Sequence, residues 1–104
     1  MSFERRKGAG WAVHPGEILN EEFLKPMKIS GYRLAKGIGV NCQTVNDIVL
    51  QKRGLSADMA LRLGKFFGTS SEFWMNLQSA YELAKARVAA GAVISKIRPH
   101  NEAA

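Results

Sequence analysis

Residues 34–49 read "LAKGIGVNCQTVNDIV". Two short apolar-periodic segments meet at Gly39, and the second carries small polar residues where a fully buried helix would carry leucine. Ser30 can cap a helix that turns Leu34, Ala35 and Ile38 inward, and Gly39 can end it with a positive φ. Asn41 then caps a further helix whose Val45, Ile48 and Val49 face a core, while Gln43, Thr44, Asn46 and Asp47 point elsewhere. Two helices joined by a three-residue turn make a helix-turn-helix. Ala35 permits close approach, Gly39 makes the turn, Val40 plugs the gap below it, and the polar side of the next helix is left for a major groove.

The segments on either side read the same way. A first helix begins near Pro15, carries Glu17, Glu21 and Glu22 toward its positive end, stacks Leu19 with Phe23 and stops before Pro26. A fourth runs from Ser56 to Phe67, with Met59, Leu63 and Phe67 on one stripe and Gly68 past its end. Thr69 with Glu72 has the spacing of a capping box, and Ser70 is an equally good cap for a fifth helix along Phe73, Leu77, Ala80, Tyr81 and Ala84. Period-2 runs are missing, so the expected fold is all-α, a compact five-helix bundle. Its expected division is a flexible basic arm over 1–12, the helix-turn-helix domain over 13–90 and a flexible tail over 91–104, where periodicity fades and Gly91 and Pro99 intervene.

Composition narrows the partners. Fifteen Lys and Arg against nine Asp and Glu give the 104-residue chain a net charge of +6, the balance of a protein drawn to polyanions. The excess lies on the helix-turn-helix: between residues 30 and 54, Arg33, Lys36, Lys52 and Arg53 face a single carboxylate, Asp47. Gln and Asn can bond bidentately to adenine and a threonine methyl can touch thymine, so Asn41, Gln43, Thr44 and Asn46 have base-reading chemistry. The flanking cations suit phosphate, which positions without reading sequence.

Other chemistries are excluded or weak. Cys42 is alone, no Cys/His cluster has metal-ligand spacing, and no cofactor is expected. Glu21 and Glu22 diverge by about 100° around a helix and cannot pair across a catalytic site. His14 reads as a helix-entry residue, so no enzyme reading survives. No apolar run approaches the length of a membrane span and no secretory h-region is evident, so a soluble, cytoplasmic protein is expected.

"LAKGIGVNCQTVNDIV" resembles the helix-turn-helix of the XRE (lambda/Cro-like) repressors. Together with "HPGEILNEEFLKPMKIS" and "GLSADMALRLGKFFGTSSEFWMNLQSAYELAKAR", residues 14 to about 87 resemble the HigA-type antitoxins of the virulence-associated protein I branch. That resemblance implies a homodimer that binds a palindromic operator in its own promoter and neutralises a HigB/RelE-like mRNA endonuclease toxin. It implies DNA contacts from Tyr32, Arg33, Lys36, Asn41, Cys42, Gln43, Thr44, Asn46, Asp47, Lys52 and Arg53. Gly31 stands where many XRE proteins carry a phosphate-clasping Gln, which moves that contact toward Tyr32, Arg33 and Lys36. Cys42 likewise replaces a base-reading polar residue and shifts the reading onto Gln43.

Two further surfaces are expected. The acidic residues Glu17, Glu21 and Glu22 form the concentrated negative face that would suit a basic toxin. The fifth helix and the segment after it, through Trp74 with Gln78 and Tyr81 and through the alanine-rich stretch, form the expected dimer face. Half-site centres would then lie about 10 to 10.5 base pairs apart, or a multiple. A stand-alone repressor without a toxin, or an RNA- or protein-binding helical adaptor, would share much of this sequence pattern. Salt-dependent, sequence-selective binding to duplex DNA separates the adaptor from both.

Overall fold

A computed structural model describes residues 13–100, and every regular element among them is helical. Helix α1 covers 15–27, α2 Gly31–Ile38, α3 Cys42–Val49, α4 Ala57–Phe67 and α5 Ser71–Ile94. Side-chain caps start the last four. Ser30 Oγ accepts from Arg33 N at 3.0 Å, Asn41 Oδ1 from Thr44 N at 2.9 Å, Ser56 Oγ from Met59 N at 3.1 Å and Ser70 Oγ from Phe73 N at 3.0 Å. Each satisfies an amide that the first helical turn leaves without a partner. Gly39 and Gly68 end α2 and α4 at φ 75° and 77°, a region that costs glycine little.

Helix α1 does not stop before Pro26. It is α-helical over Pro15–Ile18, π-helical over Leu19–Leu24 and α-helical again over Lys25–Met27, closing at Lys28 with φ 57°. In the π segment hydrogen bonds slip one residue further back, as in Lys25 N–H to the Asn20 carbonyl. A proline inside an α-helix loses a bond and drives its ring against the carbonyl four residues back. The widened turn ahead of Pro26 relieves that crowding.

Ile18, Leu19, Leu34, Val45, Ile48, Leu63 and Trp74 are fully buried and form the centre of the core. Trp74 packs its ring 5.0 Å from Phe23 and 5.0 Å from Phe73, and its Nε1–H donates to Thr69 Oγ1 at 2.8 Å. Thr69 thus serves the tryptophan while Ser70 caps the helix. Burial of Trp74, and of Gln78 at 8% exposure, overturns the expectation that these two side chains form a dimer face. They hold α5 to its own bundle. Tyr81 is half-buried, edge-on to His14 with ring centroids 4.9 Å apart.

Helix α5 runs to Ile94, past the Ala90 at which its periodicity fades, because one glycine in an alanine-rich stretch is a weak breaker. Leu83, Val88, Val93, Ile94 and Ile97 lie exposed along this end. The long helix stretches the molecule to 56 × 26 × 23 Å. The expected N-terminal arm over 1–12 and residues 101–104 fall outside the described residues.

Helix α1 crosses the C-terminal end of α3 at Gly16, where a Cβ would stand 1.8 Å from the Ile48 carbonyl oxygen. Two backbones meet there, and neither can yield without moving a helix. Gly16→Ala should therefore lower stability by about 3 kcal/mol in urea denaturation. Gly91→Ala, with nothing within 4 Å, should be neutral or slightly stabilising. A Gly16→Ala midpoint equal to that of the parent would refute the close contact.

Candidate nucleic-acid interface

The helix-turn-helix is α2, the turn Gly39–Asn41 and α3. The Gly39 and Val40 amides both donate to the Ala35 carbonyl, at 2.9 and 3.0 Å, which closes α2. Arg62 of α4 fastens the turn from outside: Nη1 donates to the Ile38 carbonyl at 2.6 Å, and Nε donates to Asp58 at 2.8 Å. The Asp58–Arg62 spacing is visible in sequence, but the reach to a turn 24 residues away is not. Val45 and Ile48 seat α3 on the core with no exposure.

The outer face of α3 exposes Asn41, Gln43 and Asn46, with Thr44 and Asp47 half-buried. These side chains are not equally available. Asn41 Oδ1 accepts from Thr44 N and from Thr44 Oγ1 at 3.1 Å, so its oxygen is spent on the cap and the amide nitrogen remains outward. Cys42 is half-buried and packs against the core, which removes it from the outward-facing set. Gln43 Nε2 donates to Asp47 Oδ1 at 2.7 Å. One N–H and the Oε1 of that amide stay uncommitted to Asp47, which is the donor–acceptor pair that an adenine edge matches.

Cations frame this face. Arg33 and Lys36 are exposed on α2, and Lys36 Nζ lies 5.6 Å from the centroid of the exposed Tyr32 ring. Beyond α3, Gln51 takes φ 64° and turns the chain, and the Lys52 and Arg53 amides return to the Asp47 carbonyl at 2.7 and 3.3 Å. Arg53 Nη2 stands 3.9 Å from Asp47 Oδ2. Lys28 joins them unannounced by the sequence pattern, lining with Lys25, Ser30, Gly31 and Asn46 a surface cleft of about 390 Å³ between α1 and α3. The acidic residues lie apart on α1. Glu17, Glu21 and Glu22 are half-buried, and Glu21 Oε2 pairs with Lys25 Nζ at 2.8 Å.

No protein-family model matches the chain. Individual relatives do. Virulence-associated protein I of Dichelobacter nodosus is 48% identical over 83 residues, covering 80% of this chain and 77% of the relative. Antitoxin HigA-1 of Vibrio cholerae is 38% identical over 78 residues, 75% of this chain and 73% of its own. The solved Pseudomonas aeruginosa antitoxin HigA with the higBA promoter is 55% identical and superposes with a TM-score of 0.81, over 85% of this chain and 97% of that one. The chain belongs to the HigA antitoxin family. The five-helix fold expected from the resemblance is the fold this HigA-family chain has.

Among the described residues of this HigA-family protein there is no cluster of His, Cys, Asp or Glu suited to a metal, and no helix is long and apolar enough to cross a membrane. His14 is 5% exposed and caps α1, its Nδ1 accepting from Gly16 N at 2.9 Å. Burial holds its imidazole below the usual histidine value of 6.5; a hydrogen bond to the Arg53 backbone and the Glu82 carboxylate oppose that shift, and the Lys85 ammonium adds to it. A depressed folded-state value means that the unfolded chain takes up the proton first. Stability is therefore full above pH 6.5 and is lost as pH falls from there through the depressed value. Melting temperature should drop over that window in the parent, and His14→Asn, a neutral cap, should flatten the drop. Parallel pH profiles for the two proteins would contradict the assignment.

Proposed function

We propose that this protein binds operator DNA through α3, represses its own promoter and neutralises a toxin made beside it. The observation that carries the DNA reading is the outward Gln43 amide, oriented by Asp47 at 2.7 Å and framed by Arg33, Lys36, Lys52 and Arg53. Because Asp47 takes only one of the two Nε2 hydrogens, Gln43 can meet adenine N7 and N6 without leaving its partner. Asn46 and the Thr44 methyl lie on the same helix face and extend the reading. Asn41, Cys42 and Asp47 act on that face indirectly, as cap, packing and orienting carboxylate. Lys28, Tyr32, Arg33, Lys36, Lys52 and Arg53 address phosphates on either side, and Lys28 stands in for the side chain that Gly31 lacks. The solved HigA relative with its promoter supports this reading.

A dimer follows from the size of the element: α3 has eight residues and buries too little DNA surface alone for tight specific binding. The face that suits a second copy is the distal part of α5 and the turn after it, with Leu83, Val88, Val93, Ile94 and, past the helix end, Ile97 exposed. Two α3 helices would then enter successive major grooves about one helical turn apart. The toxin reading is a RelE-like endonuclease held on the α1 face of Glu17, Glu21 and Glu22, where a basic partner meets carboxylates and α3 stays free for DNA.

Gln43→Ala should cost about 1 to 3 kcal/mol at the operator and little on random duplex, measured by anisotropy titration. Equal losses on both would remove the base-reading role. Arg53→Ala should weaken both DNAs and reduce the slope of log K against log salt by about one. For the partner, Glu21→Lys with Glu22→Lys should abolish co-purification with the toxin while operator affinity persists. Undiminished co-purification would place the toxin on another surface.

A further inference from the structure

The segment from Leu50 to Ser56 carries two of the phosphate-facing cations but has no helix of its own. It begins with Gln51 in the left-handed region, φ 64°, which a non-glycine residue holds only where its surroundings insist. Its first half is tied to α3 through the Asp47 carbonyl. Its second half is tied elsewhere, by a side chain that the helix-turn-helix pattern does not include.

Gln78 lies 8% exposed on α5, and its Oε1 accepts from the Leu55 amide at 2.7 Å. Its Nε2 donates to Glu82 Oε2 at 2.8 Å, which settles the orientation of the amide. Gly54 lies so close on this amide that a Cβ would stand 2.6 to 2.8 Å from its atoms. His14 closes the other side. With Nδ1 committed as acceptor to Gly16 N–H, the proton resides on Nε2, and the ring stacks edge-on against Tyr81. Packing alone would be met by leucine or phenylalanine at these places, and a buried amide or imidazole without partners costs free energy. Here the partners of the Gln78 amide are the Leu55 backbone and the Glu82 carboxylate.

We propose that Gln78 is a positioning residue for DNA binding: from the first half of α5 it clamps the backbone at Gly54 and Leu55, so that Lys52 and Arg53 present their charges to the phosphates. Its side chain does not touch DNA itself. Long lysine and arginine side chains search a wide volume unless their Cα atoms are fixed, and the clamp limits that search before DNA arrives. The proposal rests on Lys52 and Arg53 being phosphate contacts.

The test is a double-mutant cycle on the full-length protein with operator duplex, read as affinity and as salt slope, with the active fraction titrated. Gln78→Met should weaken binding about tenfold and lower the salt slope by one to two, while the preference for operator over random duplex is kept. Gln78→Glu combined with Glu82→Gln exchanges amide and carboxylate, restores an acceptor for the Leu55 amide and a donor between the two side chains, and should return both readouts to within about twofold of the parent. In a Lys52→Ala, Arg53→Ala background, Gln78→Met should change affinity less than about twofold. A full tenfold effect there would make Gln78 a fold residue only and overturn the proposal. A Lys52→Ala, Arg53→Ala protein with parental affinity and slope would instead overturn the phosphate reading on which it stands. If Gln78→Met does not fold, Gln78→Asn, which keeps the amide but is too short to reach the Leu55 N–H, runs the same cycle with the same outcomes.

Discussion

The meeting of the Gly16 backbone with the Ile48 carbonyl is the contact on which the rest depends. Helix α3 has eight residues, too few to persist in water by itself, and only Val45 and Ile48 sink fully into the core. A helix so lightly rooted holds its orientation only if its ends are held. Its N-terminal end is held by the Asn41 cap and by Arg62 on the preceding turn, and its C-terminal end by α1 lying across it. The positive end of α1 is brought against the carbonyl-bearing end of α3, a favourable arrangement of helix dipoles as well as of shape. Had these restraints been side chains on the outer face, no polar surface would remain to present.

Much of this was legible in the sequence because it is encoded locally. Ser30, Asn41, Ser56 and Ser70 each act on an amide three residues ahead, and Gly39 and Gly68 adopt conformations that need no distant partner. The apolar periodicity that separates Val45 and Ile48 from Gln43 and Asn46 is local too. What was missed depends on contacts between remote segments. Trp74 reads as an outward aromatic on the helical wheel, yet Phe23 and Phe67 come from other helices to cover it. Pro26 reads as a stop, and only a π turn upstream lets the helix pass it. The oxygen of Asn41 has the chemistry of a base reader, but the cap uses it first. The contacts of His14, Gln78 and Arg62 span long separations in sequence and leave no periodic signal.

Charge in this molecule is arranged as much by removal as by placement. Asp47 is the one carboxylate within the basic stretch, and it costs repulsion against phosphate. In return it orients Gln43 with its side chain and receives the Lys52 and Arg53 amides with its carbonyl. On α1, Lys25 partly screens Glu21, so the acidic face is softer than its composition suggests.

The distal turns of α5 have a different relation to the bundle. From Lys85 to Ile94 the helix shows almost every side chain to solvent, so its hydrogen bonds can open without disturbing Trp74 or the core beneath it. Local opening there is governed by helix propensity alone and costs far less than global unfolding. Lys85 and Arg87 lie at the root of this extension. A trypsin-like protease meeting an uncovered molecule would shed the extension first and leave the helix-turn-helix folded. A molecule whose extension is covered would be spared. The lifetime of the chain is thereby coupled to whatever occupies that helix.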